Sequence, residues 1–348
     1  MSVPLVDHPR FPRPVSRLGL GCGGPSRLGL RTHEDADRSR RLLSRAIDVG
    51  VTLIDTASTY GTEALVGEVC AALPQSVQGK LTICTKHPVV RERGVLMPPS
   101  EFADAIDRSL ASLQTDRIDL FQLHGVTPAE YPHAINEILP VCLRAREGGK
   151  IDRLGITEAF VPDPEHRMLR CALEQGRFGR SGDGPPGTPA SSSPDSTVFD
   201  SAMVGVNVLN QSACRDILPE CERAGVAMLA MFAVRRVLTD EARLREALLC
   251  LHAAGELDHE LVPDAASLES PLRWFASLGF GDATLPGFVA SCYRWCRDTP
   301  GVTVVLSGTG NIEHLEANAR AMAGPPLDET VRETLARVFA RVTTETGN

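Results

Sequence analysis

Eight short apolar runs, each followed by a stretch of helical spacing, recur along this chain at 18–23, 51–55, 81–88, 118–124, 150–157, 203–207, 226–232 and 302–306. Each is five to eight residues long and largely apolar or β-branched, the pattern of a strand buried on both faces. Between them lie amphipathic helices. From 34 to 49 the apolar positions Leu42, Leu43, Ala46 and Ile47 share a face, and from 98 to 114 Phe102, Ile106, Leu110 and Leu113 are in line. Further helices are expected at 128–148, 164–175, 210–223 and from 310, with a long helical excursion over 233–300. Such alternation implies right-handed crossovers and a parallel sheet. Eight units favour a closed (β/α)8 TIM barrel, a single α/β domain over 1–348, with an open doubly wound sheet as the alternative.

Three segments stand outside this rhythm. Residues 1–16 carry four prolines and read as an irregular lead-in or small hairpin. A charged helix is expected over 327–344. The stretch 179–199 is rich in Gly, Pro and Ser, and reads as a flexible insertion between a helix and the sixth strand. A helix-to-strand loop lies on the barrel face opposite the chemistry, so no catalytic role is expected of it.

A net charge of -8, with no long run of Lys or Arg, argues against a nucleic-acid or anionic-membrane surface. No stretch approaches eighteen apolar residues and no export signal opens the chain, so a cytoplasmic protein is expected. The ten cysteines form no C-x-x-C pair and suit reduced core thiols; no metal site is expected. Gly19, Gly21 and Gly24 satisfy the dinucleotide fingerprint G-x-G-x-x-G. They lead into a loop rather than a helix, so a glycine-rich strand lying close to a ligand fits better.

The strand ends carry the chemistry. The second strand ends on Asp55, with Tyr60 on the following loop; the third ends on Lys86 and the fourth on His124. Taken singly, each has a bland explanation: an N-cap, a half-buried ring, a solvated lysine, a core imidazole. In a barrel all four converge on the carboxyl-terminal face, and together they suit proton donation by a phenol. An ammonium near the phenol lowers its pKa, a carboxylate holds the ammonium, and an imidazole orients a substrate oxygen or relays a proton. None of these groups accepts a hydride, so an organic cofactor is implied.

The chain resembles the aldo-keto reductases over roughly 15–325. The resemblance is carried by Arg17-Leu-Gly-Leu-Gly, Ile54-Asp-Thr-Ala with Tyr60-Gly61 and Glu63, Thr85-Lys86, Leu123-His124, Leu306-Ser-Gly-Thr, and Glu313-His-Leu-Glu-Ala-Asn318. It implies a (β/α)8 barrel binding NADP(H), slightly favoured over NAD(H), in extended form. It implies Tyr60 as general acid/base, Asp55 and Lys86 as its tuning pair, and His124 as the group that orients the carbonyl. The implied cofactor contacts are Gly21, Thr157, Glu158, Asn207, Phe232, Arg236, Ser307, Gly308, Thr309, Gly310, His314 and Asn318. Three departures stand out. Thr157 and Glu158 replace the usual Ser-Asn, Asn207 replaces a glutamine, and Gly308 and His314 replace a lysine and an arginine at the 2′-phosphate. Arg235 or Arg236, just past the seventh strand, is the candidate substitute cation, with a solvated helix start as the alternative reading of that pair.

The expected activity is reduction of an aldehyde or ketone, or the reverse oxidation of a sugar or secondary alcohol, by a monomer or weak oligomer with a small-molecule substrate. A cofactor-binding regulatory barrel with little turnover is the alternative.

Overall fold

The computed structural model describes residues 2–30, 36–178, 198–262 and 264–346. The eight strands are β1 (Leu18–Gly21), β2 (Leu53–Asp55), β3 (Thr82–Pro88), β4 (Ile118–Val126), β5 (Ile151–Glu158), β6 (Ser201–Gly205), β7 (Ala227–Met231) and β8 (Val304–Ser307). Each pairs in parallel with the next, and β8 pairs back with β1, so the sheet closes. The open-sheet alternative therefore fails. The glycines of the fingerprint lead into a turn at Arg27–Gly29, not a helix, because Leu28 sits in left-handed backbone.

Two layers of core follow from the closure. Inside the barrel, Leu53, Cys84, Leu120, Met203, Leu229, Val304 and Leu306 interdigitate, with Phe11 and Val15 of the lead-in packed against them. The lead-in forms a two-stranded hairpin, Leu5–Val6 with Val15–Ser16, held at strand starts by Arg13–Asp119 (3.1 Å) and Arg10–Asp200 (3.6 Å). It thus covers the amino-terminal mouth and leaves the opposite face for loops. Outside, helices lay their apolar stripes on the sheet, as Leu42, Leu43 and Ala46 of α1 (Ala36–Asp48) do. Each such buried aliphatic side chain contributes about 1.5–3 kcal/mol.

Several expected helices are shorter or broken. The 128–148 segment begins with a turn at Tyr131–His133, widens into π-helix over Ala134–Ile138 and becomes α-helical at Leu139–Glu147. Pro140 has no N–H to give and its ring crowds the preceding turn, so the wider turn absorbs it. Over 210–223 the helix starts at Ser212, and Asp216 breaks it with an extended φ while its carboxylate caps Ile217. The terminal helix stops at Val338, short of 344. Residues 179–197 of the expected insertion lie outside the described residues. Its last two belong to the core, since Val198 and Phe199 are buried and Phe199 bridges Phe178. Among the described residues no helix is long and apolar enough to cross a membrane, and no cluster of His, Cys, Asp and Glu could hold a metal. All ten cysteines are free.

Candidate active site

Consecutive strands bring Asp55, Lys86 and His124 to one face, because β2, β3 and β4 pair in register with Asp55 opposite Cys84 and Pro88 opposite His124. Lys86 is 1% exposed and donates to Asp55 Oδ1 at 2.6 Å, Asp55 Oδ2 at 2.7 Å and the Thr56 carbonyl at 2.9 Å. Its three protons are spent, which fixes the ammonium in place. Lys86 Nζ lies 5.1 Å from the centroid of the Tyr60 ring. Tyr60 itself sits on a 3-10 turn, Ser58–Tyr60, closed by Gly61 in left-handed backbone. Its hydroxyl is 3.4 Å from His124 Nε2, and the two rings meet edge to face at 5.5 Å.

Gly23 is what lets the tyrosine sit there. A Cβ on residue 23 would stand 2.4 Å from the Tyr60 ring, so only glycine lets the ring lie on that backbone. Two further buried hydrogen bonds lie nearby, the first of them to the Asp55–Lys86 pair. Gln122 Nε2 reaches Asp55 Oδ1 at 3.4 Å, and Thr85 Oγ1 donates to Glu63 at 2.6 Å. Gln122 went unread as a site residue. Its signal was a polar residue within an otherwise apolar run, at a position that closure turns inward.

The electrostatics differ from expectation at the phenol. Burial raises the Tyr60 pKa, and the Lys86 ammonium offsets only part of that rise, so the net direction is up. A desolvated phenolate is costly, and the ammonium's charge is already shared with Asp55. Burial also raises the Asp55 carboxyl, yet the same pair holds Lys86 above its usual value against burial. Three hydrogen bonds from Nζ make the charged pair the form this geometry favours. Burial, with Lys86 and His87 nearby, lowers His124 to about 3, so its imidazole is neutral in ordinary buffers. That environment favours a neutral donor or acceptor over an imidazolium.

The expected cofactor contacts fall into three groups. Around β1 and β8, Gly21 faces the Ser307 carbonyl and Gly308, and Gly310 packs on Gly29. Thr309 Oγ1 accepts from Asn311 N–H, and Asn311 caps the helix Ile312–Met322, which exposes His314. Ser307 Oγ receives both Tyr293 O–H and Asn318 Nδ2 at 2.9 Å, so Asn318 spends a donor internally. At the ends of β5 and β6, Thr157 Oγ1 accepts from Gly125 N–H at 2.7 Å and keeps its own proton to donate. Asn207 Oδ1 accepts from Leu209 and Asn210 N–H at 3.0 Å, leaving Nδ2 as a donor. Glu158 is committed elsewhere, to His166 and Gly205. After β7, Phe232 holds φ +67 and is 37% exposed. Left-handed backbone under a bulky exposed ring is strain of the kind that collects at ligand sites. Arg235 lies over that ring at 4.6 Å and is paired with Glu345, whereas Arg236 is exposed. Of the two arginines, the buried one meets the aromatic.

Residues 17–177 match the model of the aldo/keto reductase family. A 6-dehydroglucose reductase of Novosphingobium aromaticivorans is 34% identical over 149 residues, 38% of this chain and 44% of that protein. The chain's match thus spans less than half the length of that curated relative. Among solved structures, the glycerol dehydrogenase AKR11B4 of Gluconobacter oxydans superposes with a TM-score of 0.65 at 22% identity, over 99% of this chain and 98% of that one. An aldo-keto reductase of Klebsiella pneumoniae in complex with NADPH gives 0.61 at 20%, over 99% and 98%. At such identities these two show the shared fold.

Proposed function

We propose that the chain, whose residues 17–177 match the aldo/keto reductase family model, acts as an aldo-keto reductase that interconverts a carbonyl and an alcohol, with Tyr60 moving the proton. The observation that carries this reading is the Tyr60 hydroxyl at 3.4 Å from a neutral His124, beside a fully bonded Lys86–Asp55 pair.

The donors present suit a nicotinamide dinucleotide. Thr157 Oγ and Asn207 Nδ2 are hydrogen-bond donors for a carboxamide oxygen, and the exposed Phe232 ring is a stacking surface. Gly308-Thr309-Gly310 before an eleven-residue helix offers backbone N–H groups and a helix dipole to phosphate. Bound there, the cofactor would supply the hydride that no side chain can. Tyr60, kept protonated by burial, donates its proton to the substrate oxygen. His124 hydrogen-bonds that oxygen and orients it. Lys86 stabilises the phenolate left behind, and Asp55 holds Lys86 in place. NADP(H) is slightly favoured over NAD(H), although Gly308 and His314 supply no fixed cation. The substrate is an aldehyde or ketone, or in reverse a sugar or secondary alcohol.

The test is turnover of NADPH or NADH by the purified chain with short aldehydes, sugar carbonyls and glycerol, alongside Tyr60→Phe. The expected result is turnover that falls about 10²–10⁴-fold in Tyr60→Phe with cofactor affinity retained. Turnover unchanged by that substitution would overturn the reading.

A further inference from the structure

Behind the end of β5 lies a buried hydrogen-bonded chain that the proposed proton transfer does not use. Glu158 Oε1 accepts from Gly205 N–H at 2.7 Å, and Oε2 lies 2.8 Å from His166 Nδ1. His166 Nε2 lies 2.8 Å from Ser212 Oγ, which donates to the Pro164 carbonyl at 2.9 Å. Glu158 is 2% exposed, His166 1% and Ser212 9%. Carboxylate, imidazole and hydroxyl stand in the order of a serine-nucleophile triad, but the protons run the other way. A carbonyl only accepts, so the single Ser212 proton goes to Pro164, and Nε2 must donate to Oγ. With Nε2–H in place, a bond across Nδ1 and Oε2 requires one more proton within the Glu158–His166 pair. That proton makes the pair neutral overall. Without it, one of the Ser212 contacts goes unmade and a net charge sits in the interior.

The charges around the pair do not replace that proton. Asp163, whose charge acts on Glu158, is engaged by Arg167 at 2.9 Å, and Cys221 is a buried thiol whose pKa is pushed up. Beyond Ser212 a surface cleft of about 290 Å³ is lined by Glu165, Arg167, Arg170, Arg215 and Asp216, with Arg170 paired to Asp216.

Position gives the pair its consequence. Glu158 follows Thr157 and pairs in register with Val126, two residues past His124. His166 also stacks on Phe160 at 5.8 Å, and Phe160 meets the exposed Phe232 at 6.0 Å. We propose that His166 is a positioning residue that cancels the charge of Glu158, the acid standing where the family carries an amide, so that the site takes oxidised and reduced nicotinamide without bias from that carboxylate. This rests on the dinucleotide reading above. The oxidised ring is cationic and the reduced ring neutral, so an uncompensated carboxylate nearby would favour the oxidised form.

The experiment measures dissociation constants for NADP+ and NADPH with the wild-type chain, His166→Asn, Glu158→Gln and the double variant. Asparagine at 166 keeps an N–H for Glu158 but holds no extra proton. Glutamine at 158 donates to Nδ1 and accepts from Gly205, keeping every bond with no charge. The expected result is a shift of roughly tenfold toward NADP+ in His166→Asn, with wild type, Glu158→Gln and the double variant sharing one ratio. A purely structural role would weaken both forms in parallel, and that outcome overturns the proposal. If His166→Asn does not fold, Glu158→Gln decides alone. A ratio moved toward NADPH there would mean that the wild-type carboxylate was never compensated. Binding of neither form by the wild type removes the dinucleotide reading itself, whereas wild-type binding with no shift in ratio in a folded His166→Asn removes only this inference.

Discussion

Lys86 illustrates why single residues in this site cannot be exchanged freely. An ammonium 1% exposed is tolerable only because Asp55 and the Thr56 carbonyl take all its protons. Lys86→Met leaves Asp55 buried and unpaired, and is expected to cost about 3–5 kcal/mol in denaturant unfolding. Asp55→Asn combined with Lys86→Met removes both charges and should recover most of that stability without recovering turnover. Recovery of activity in the double variant would refute the tuning role. The pH profile follows from the two other groups. Tyr60 is raised by burial, so its acid form persists from neutral into alkaline pH; reduction should stay flat there and fall only as the phenol ionises. Oxidation needs the phenolate and should rise over the same range. His124, lowered to about 3, should contribute no inflection between pH 5 and 8. An inflection near 6.5 in rates measured with saturating cofactor would contradict a neutral imidazole.

At the scale of elements, the strands and the candidate site residues at their ends were legible, because closure of a parallel sheet leaves little choice about where strand ends go. Asp55, Lys86 and His124 could be placed from spacing alone. The helices were less legible where a local residue overrides the period, as Pro140 does by widening a turn and Asp216 by capping a new start. Least legible were contacts between elements. The partnership of Glu158 with His166 and Ser212 joins a strand end, a helix cap and a helix start, and no periodicity encodes it. The loop from Gly21 to Gly24 makes the same point in a testable form. Its sequence suggested a fingerprint, whereas Gly23 is needed because the Tyr60 ring occupies the space of its side chain. Gly23→Ala should therefore displace the phenol by a fraction of an ångström to an ångström and lower kcat by about 10²-fold, with cofactor affinity changed far less. Equal losses in kcat and affinity would mean that the whole loop had moved.

The whole molecule adds a strap that the sequence presented as more helix. After Val338 the chain leaves the helix, buries Phe339 against Phe275 (stacked at 6.2 Å), and runs across the loops that follow β6 and β7. Asn210 Nδ2 donates to the Thr344 carbonyl and Asn210 Oδ1 accepts from Thr346 N–H, while Glu345 pairs with Arg235. The anchor on the outer side is Glu256, which accepts from Thr343 N–H, Thr344 N–H and the Thr344 hydroxyl. Burial pushes its carboxyl up, but those three donors pull harder and the net direction is down. Glu256→Gln cannot accept on both sides as the carboxylate does, and the site is partly open to water, so the loss should be only about 1–2 kcal/mol. Because that loss is local, hydrogen exchange at residues 343–346 should accelerate about five- to thirtyfold while exchange in the barrel strands stays unchanged. Arg235 ties the strap to Phe232, so the same variant should also change cofactor affinity if the ring belongs to the cofactor site. Faster exchange at 343–346 with affinity unmoved would place the strap outside the binding site and leave it a purely structural closure of the loops after β6 and β7.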